Sequence, residues 1–125
     1  FTSAHLIGER IDQADPQLEF AGGYDHCWVL RKGGKDFTQA ASTYAPLSGR
    51  VLETWTTQLG IQLYTGNFLD GSIQGKAGKP YLKRSAFCLE TQHFPDSPNR
   101  PEFPTTIVRP GIPYTSSTLY RFSIR

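Results

Sequence analysis

Residues 51–65 read VLETWTTQLGIQLYT, and this stretch decides the fold class. It is rich in β-branched and aromatic residues, the types that fit a pleated, half-buried surface. Val51–Thr57 alternates imperfectly. Val51, Glu53 and Trp55 share one face; Leu52, Thr54 and Thr56 share the other. Periodicity alone leaves half a turn of helix open there, but propensity favours a strand. Leu59-Gly60 interrupts the pattern. Ile61–Thr65 then alternates more cleanly, with Ile61 and Leu63 on one face and Gln62 and Tyr64 on the other.

Upstream of this stretch, Cys27–Leu30 is a short apolar strand and Lys32-Gly33-Gly34-Lys35 its hairpin turn. Phe37–Tyr44 returns as a more polar strand, and Pro46–Gly49 turns the chain again. Residues 1–21 carry little regular pattern, with turns expected at Asp15-Pro16 and Gly22-Gly23. Downstream, residues 66–83 hold four glycines and one proline and form a long connection of the kind that often carries function. Arg84–Thr91 is the next expected strand. Residues 93–104 contain four prolines, which excludes regular structure. Thr105–Arg109 is short and β-branched, Pro110-Gly111 is a turn, and Thr118–Ile124 alternates with Tyr120, Phe122 and Ile124 on one face. At least six strand candidates and no long amphipathic helix predict an all-β fold, with antiparallel sheets packed face to face in a β-sandwich.

Composition agrees. Eight Phe, six Tyr and two Trp, set among twelve Gly and nine Pro, favour short strands between many turns. A chain of 125 residues is long enough for one domain with a core and too short for two ordinary ones. The net charge of +2 is scattered. Its densest group, Lys76, Lys79, Lys83 and Arg84, reads as a solvated loop, so no nucleic-acid partner is expected. No apolar run reaches the length of a membrane helix, and no targeting signal opens the chain; a cytoplasmic protein without a membrane partner is the default. Cys27 and Cys88 read as buried thiols, with a disulfide between them as the alternative that spacing leaves open. With His26 and His93 they match no tight metal-ligand spacing, so no metal is expected.

Glu90 is the sharpest chemical candidate. It shares a strand face with Ala86 and Cys88, whose small side chains leave room above the sheet, and a carboxylate in such a recess suits general-base work. A surface glutamate on the wet face of a half-buried strand fits the same pattern. Asp25 and His26 enter a strand after two glycines, where polar groups can be aimed into a cleft; a turn-capping aspartate and a surface histidine fit equally. Gln62 beside Tyr64 pairs an amide with an aromatic face, a combination suited to sugars. His93, Asp96 and Asn99 read as local caps of the proline-rich loop. Sequence motifs for covalent serine catalysis, nucleotide hydrolysis and dinucleotide binding do not occur.

Four segments carry a resemblance. GGYDHCWVL (22–30), SGRVLETWTTQLGIQLYTGNFLDG (48–71), SAFCLETQHFPDSP (85–98) and FPTTIVRPGIPYTSSTLYRFSI (103–124) are similar, in order, to the aldose 1-epimerase family. The resemblance implies an antiparallel β-sandwich of the galactose mutarotase-like supersandwich type, incomplete in this chain. Residues 1–125 would be the C-terminal portion of a single domain. It also implies a monosaccharide substrate, interconversion of the α and β anomers of free aldoses, and neither cofactor nor metal. On this reading Glu90 is the base, Asp25 and Gln62 bind the sugar, and His26 supports them.

One departure matters. The family's acid histidine and a second sugar-binding histidine lie upstream of the GYDH segment. His5, His26 and His93, the histidines of this chain, sit in none of the expected motifs. The acid is therefore expected from an N-terminal segment, present as a separate chain or as missing sequence. Three alternatives stand beside this reading: a non-catalytic carbohydrate-binding domain, an epimerase-like protein for phosphorylated sugars with Lys76–Arg84 as its phosphate clamp, and a structural subunit whose cleft is occluded by its partner.

Overall fold

The computed structural model describes residues 1–32 and 36–125. Among them are six strands: β1 (Asp25–Val29), β2 (Thr38–Ala45), β3 (Arg50–Thr56), β4 (Gly60–Tyr64), β5 (Cys88–Gln92) and β6 (Thr118–Ile124). They form two three-stranded sheets, ordered β1-β4-β5 and β2-β3-β6. Both sheets are antiparallel and neither closes into a barrel, the all-β architecture of an incomplete sandwich. The turn expected at residues 32–35 lies largely outside the described residues.

By internal contacts the chain divides into two compact units. One comprises Phe1–His26 and Leu63–Cys88, the other Cys27–Gln62 and Leu89–Arg125.

The first unit contains a short helix, α1 (Pro16–Ala21), between the turns expected at Asp15-Pro16 and Gly22-Gly23. Six residues are too few to show a 3.6-residue period. The helix rests on its ends. The Asp15 carboxylate accepts from the Gln17 N–H at 2.8 Å, and Pro16 opens the first turn, where its missing N–H costs nothing. Gly22 closes the helix at φ +64°, donating to the Glu19 carbonyl while Gly23 donates to that of Leu18. Ile11, Tyr24 and Leu63 are the buried apolar side chains of this unit. The 66–83 connection is internally bonded: Tyr81 donates to the Ile73 carbonyl, Gly71 to that of Tyr81, and Gln74 and Pro80 form a β-bridge.

The expected strand from Arg84 starts four residues later, at Cys88. Arg84 adopts φ +63°, which no strand allows. Its N–H donates to the Gly66 carbonyl, and its guanidinium grips the Asp12 carboxylate at 2.8 and 2.6 Å.

The second unit holds the β2-β3-β6 sheet. Pairing of β3 with β6 runs unbroken from Arg50↔Ile124 to Thr56↔Thr118. Pairing of β2 with β3 carries one irregularity between Gln39 and Ala41. Glu53 sits mid-sheet, accepting from Gln39 Nε2 at 3.1 Å and from Arg121 Nε. Within β3 the most deeply buried residues are Thr54 and Thr56, fully buried, with Val51 close behind.

Thr105–Arg109, expected as a strand, is not one. Pro104 and Pro110 bracket it, among the described residues no strand pairs with it, and Ile107 and Val108 are exposed. Strand propensity reflects packing against paired neighbours, and this segment has no strand partner among the described residues. Among the described residues, no helix is long and apolar enough to cross a membrane.

Candidate functional site

Glu90 occupies the middle of β5. Side-chain alternation puts it on the face of Cys88 and Gln92, opposite Leu89 and Thr91. Cys88 and Glu90 are exposed, whereas Leu89, Thr91 and Gln92 are half-buried. Ala86, expected to share the strand with Glu90, precedes it and is also exposed. Cys88 is therefore not the buried thiol anticipated.

Gln62 lies in β4, the neighbour of β5 in its sheet, and is half-buried. Gln92 Nε2 donates to Gln62 Oε1 across the two strands at 3.5 Å, a long contact. The Cys27 side chain hydrogen-bonds that of Gln92. A Cβ added at Gly60 would stand 2.7 Å from Cys27 Sγ and 3.3 Å from the Gln92 carbonyl oxygen, so β4 passes this close only because position 60 lacks a side chain. Burial pushes the Cys27 thiol up, against opposing hydrogen bonds from the Gln92 side chain and the Ile61 backbone. A raised thiol disfavours the thiolate form that a nucleophile needs.

In the first unit, Asp25 opens β1 and is half-buried. Its backbone N–H donates to His26 Nδ1 at 3.0 Å, so a neutral His26 ring carries its proton on Nε2. The ring meets Tyr24 edge-on at 6.4 Å. Tyr24 is fixed in turn by residues following β4. Its N–H donates to Thr65 Oγ1 at 3.1 Å, and its carbonyl accepts from the Thr65 N–H at 3.0 Å and Asn67 Nδ2 at 2.9 Å. Asn67 also donates to the Ala21 carbonyl, which joins the end of α1 to the start of β1.

Asp96 caps its loop as expected. Asn99 Nδ2 and Arg100 Nε donate to its two carboxylate oxygens, and these bonds, Asn99 first, hold its carboxyl below the usual range. His93 stands 6.0 Å from the Tyr114 ring beside a hollow of about 470 Å³, whose walls include Val108, Arg109 and Ile112. A smaller hollow of about 180 Å³ lies in the first unit beside Asp12 and Arg84. Neither is lined by Asp25, Gln62 or Glu90.

Three residues beside the candidates were not singled out from sequence: Gln92, Thr118 and Tyr120. The signal was present as parity. Gln92 lies two residues after Glu90, and Thr118 and Tyr120 lie two apart on one face of β6.

These elements define an all-β protein of the sandwich type that displays carboxylate and amide side chains from its strands. The chain belongs to the aldose 1-epimerase family, whose profile matches residues 1–121. It is 51% identical to the galactose mutarotase of Homo sapiens over 102 residues, which is 82% of this chain and 30% of that protein. Against the galactose mutarotase of Bos taurus it is 50% identical over the same shares. Against the aldose 1-epimerase of Escherichia coli (strain K12) it is 36% identical over 124 residues, 98% of this chain and 35% of that protein. The chain thus spans about a third of the length of these relatives.

Proposed function

We propose that this chain is the C-terminal portion of an aldose 1-epimerase domain that interconverts the α and β anomers of free aldoses such as galactose and glucose. The observation that carries the reading is the family match over residues 1–121, which includes all four candidate residues. Glu90 takes the proton from the C1 hydroxyl while an acid histidine protonates the ring oxygen. The C1–O5 bond breaks, O1 becomes a carbonyl oxygen, and rotation about C1–C2 presents the other face. Closure reverses the two proton transfers, so acid and base exchange roles and no covalent bond to the protein forms. Asp25 and Gln62 bind sugar hydroxyls, and His26 supports Asp25 through the contact with its backbone N–H. The acid histidine comes from an N-terminal segment outside this chain.

The exposure of Glu90 on β5 suits a base whose cleft is completed by other residues. The phosphorylated-sugar reading is less well supported, because Arg84 of the basic cluster is already held by Asp12. The test is Glu90→Gln in the enzyme completed with its histidine-bearing segment. Polarimetry on freshly dissolved α-galactose is expected to show loss of turnover with the fold intact; near-normal turnover would remove Glu90 as the base.

A further inference from the structure

We infer that Thr118 and Tyr120 of β6 are positioning residues for Glu90, an inference that rests on the reading of Glu90 as the base.

The Tyr120 hydroxyl donates to the Leu89 carbonyl at 2.8 Å. That carbonyl belongs to the peptide unit whose nitrogen is Glu90's own. On the other side of Glu90, Thr118 Oγ1 stands 2.6 Å from Thr91 Oγ1. The two contacts are spaced two residues apart on both strands and run in opposite directions, 120 to 89 and 118 to 91. They bracket Glu90. The brace is itself anchored: Thr118 Oγ1 lies 3.2 Å from Oγ1 of the fully buried Thr56, and Thr56 pairs with Thr118 in the β3–β6 ladder. A chain of three hydroxyls, Thr56–Thr118–Thr91, therefore ties β5 to the other sheet.

Among the described residues, β5 pairs along one side only, with β4. A base borne on a strand paired along one side keeps its aim only while the backbone is held in place, and small misplacement costs rate. The hydroxyls of residues 118 and 120 supply that hold without touching the sugar.

The experiment compares Tyr120→Phe, Thr118→Val, Thr118→Ser and Glu90→Gln in the mutarotating form of the protein. It measures kcat and KM for galactose, with hydrogen exchange read strand by strand. Loss of aim without loss of binding predicts that Tyr120→Phe and Thr118→Val lower kcat by about tenfold while KM stays within about twofold. Exchange should quicken in residues 88–92 and not in β2 or β3, and Thr118→Ser should retain the wild-type kcat. If Glu90→Gln is inactive while both hydroxyl deletions keep the wild-type kcat, the positioning role is overturned and the base survives. If Glu90→Gln turns over normally, both readings fall. Faster exchange across β2 and β3 as well would make the hydroxyls merely structural and overturn the inference.

Discussion

Asn67 holds Tyr24 by its main chain: Asn67 Nδ2 donates to the Tyr24 carbonyl at 2.9 Å, and the same nitrogen reaches the Ala21 carbonyl at 2.9 Å. The Thr65 hydroxyl lies 2.6 Å from Asn67 Oδ1. One buried amide thus satisfies polar groups from three segments and fixes the backbone immediately before Asp25.

Asn67→Ala is expected to destabilise the chain by about 2–4 kcal/mol, since it leaves buried carbonyls and a hydroxyl with fewer partners. Urea denaturation checks this. A loss below about 0.5 kcal/mol would mean that water replaces the amide at no cost. Asn67→Asp is expected to fare little better, because a carboxylate cannot donate to the two carbonyls.

Thr54 presents the reverse case. It is fully buried, and among the described residues its hydroxyl has no hydrogen-bond partner. Thr54→Val keeps the branched shape and removes the unpaired group. The expected outcome is a gain of about 1 kcal/mol or more, read as a higher denaturation midpoint with unchanged slope. A loss would show that the hydroxyl is satisfied in solution.

The two threonines of β3 also mark how far the sequence could be read. Alternation put Thr54 and Thr56 on one face correctly, but pattern could not say that a polar face is the more deeply buried one. β6 was legible to the residue, because seven alternating residues stand between clear breaks. The start of β5 was not. Arg84 looks like strand sequence, and only its partners Asp12 and Gly66, far away in the chain, turn it left-handed. The short helix α1 escaped for want of length. Thr105–Arg109 misled because strand propensity needs a neighbour to act. At the candidate site, strand pattern raised Glu90, Asp25 and Gln62 as candidates, and only the family resemblance gave them roles. The cross-strand contacts of Gln92 and Tyr120 depend on register, which local sequence does not encode.

Acid should weaken the β2-β3-β6 sheet through Glu53. The hydrogen bond from Arg121 holds its carboxyl below the ordinary value of 4.5, helped by the charge of Arg121, by Gln39 and by the charge of Arg125. A depressed native value means that the contribution is fully present above 4.5 and is lost as pH falls through the lowered native value. Glu53→Gln cannot ionise. The stability gap between wild type and variant should therefore be widest near about pH 6 and narrow on acidification to about pH 3. A gap independent of pH would show that the ion pair contributes nothing in solution.

The chain alone should not mutarotate. On the proposed mechanism, ring opening needs a donor at the ring oxygen while Glu90 accepts from the C1 hydroxyl, and the three histidines here are otherwise engaged. His5 lies between Ser3 Oγ at 3.0 Å and Glu9 Oε2 at 3.2 Å, His26 accepts from the Asp25 N–H, and His93 packs by Tyr114. Large apolar side chains on β6, Phe122 at 77% and Ile124 at 79% exposure, add a second expectation. Apolar surface this open binds a hydrophobic dye until a covering segment arrives. Polarimetry of fresh α-galactose with residues 1–125 should follow the buffer rate, and dye fluorescence should be high. Adding the histidine-bearing N-terminal segment should raise the first and quench the second together. Acceleration by the chain alone would show that a donor within it suffices, and the proposed division of acid and base between two segments would be wrong.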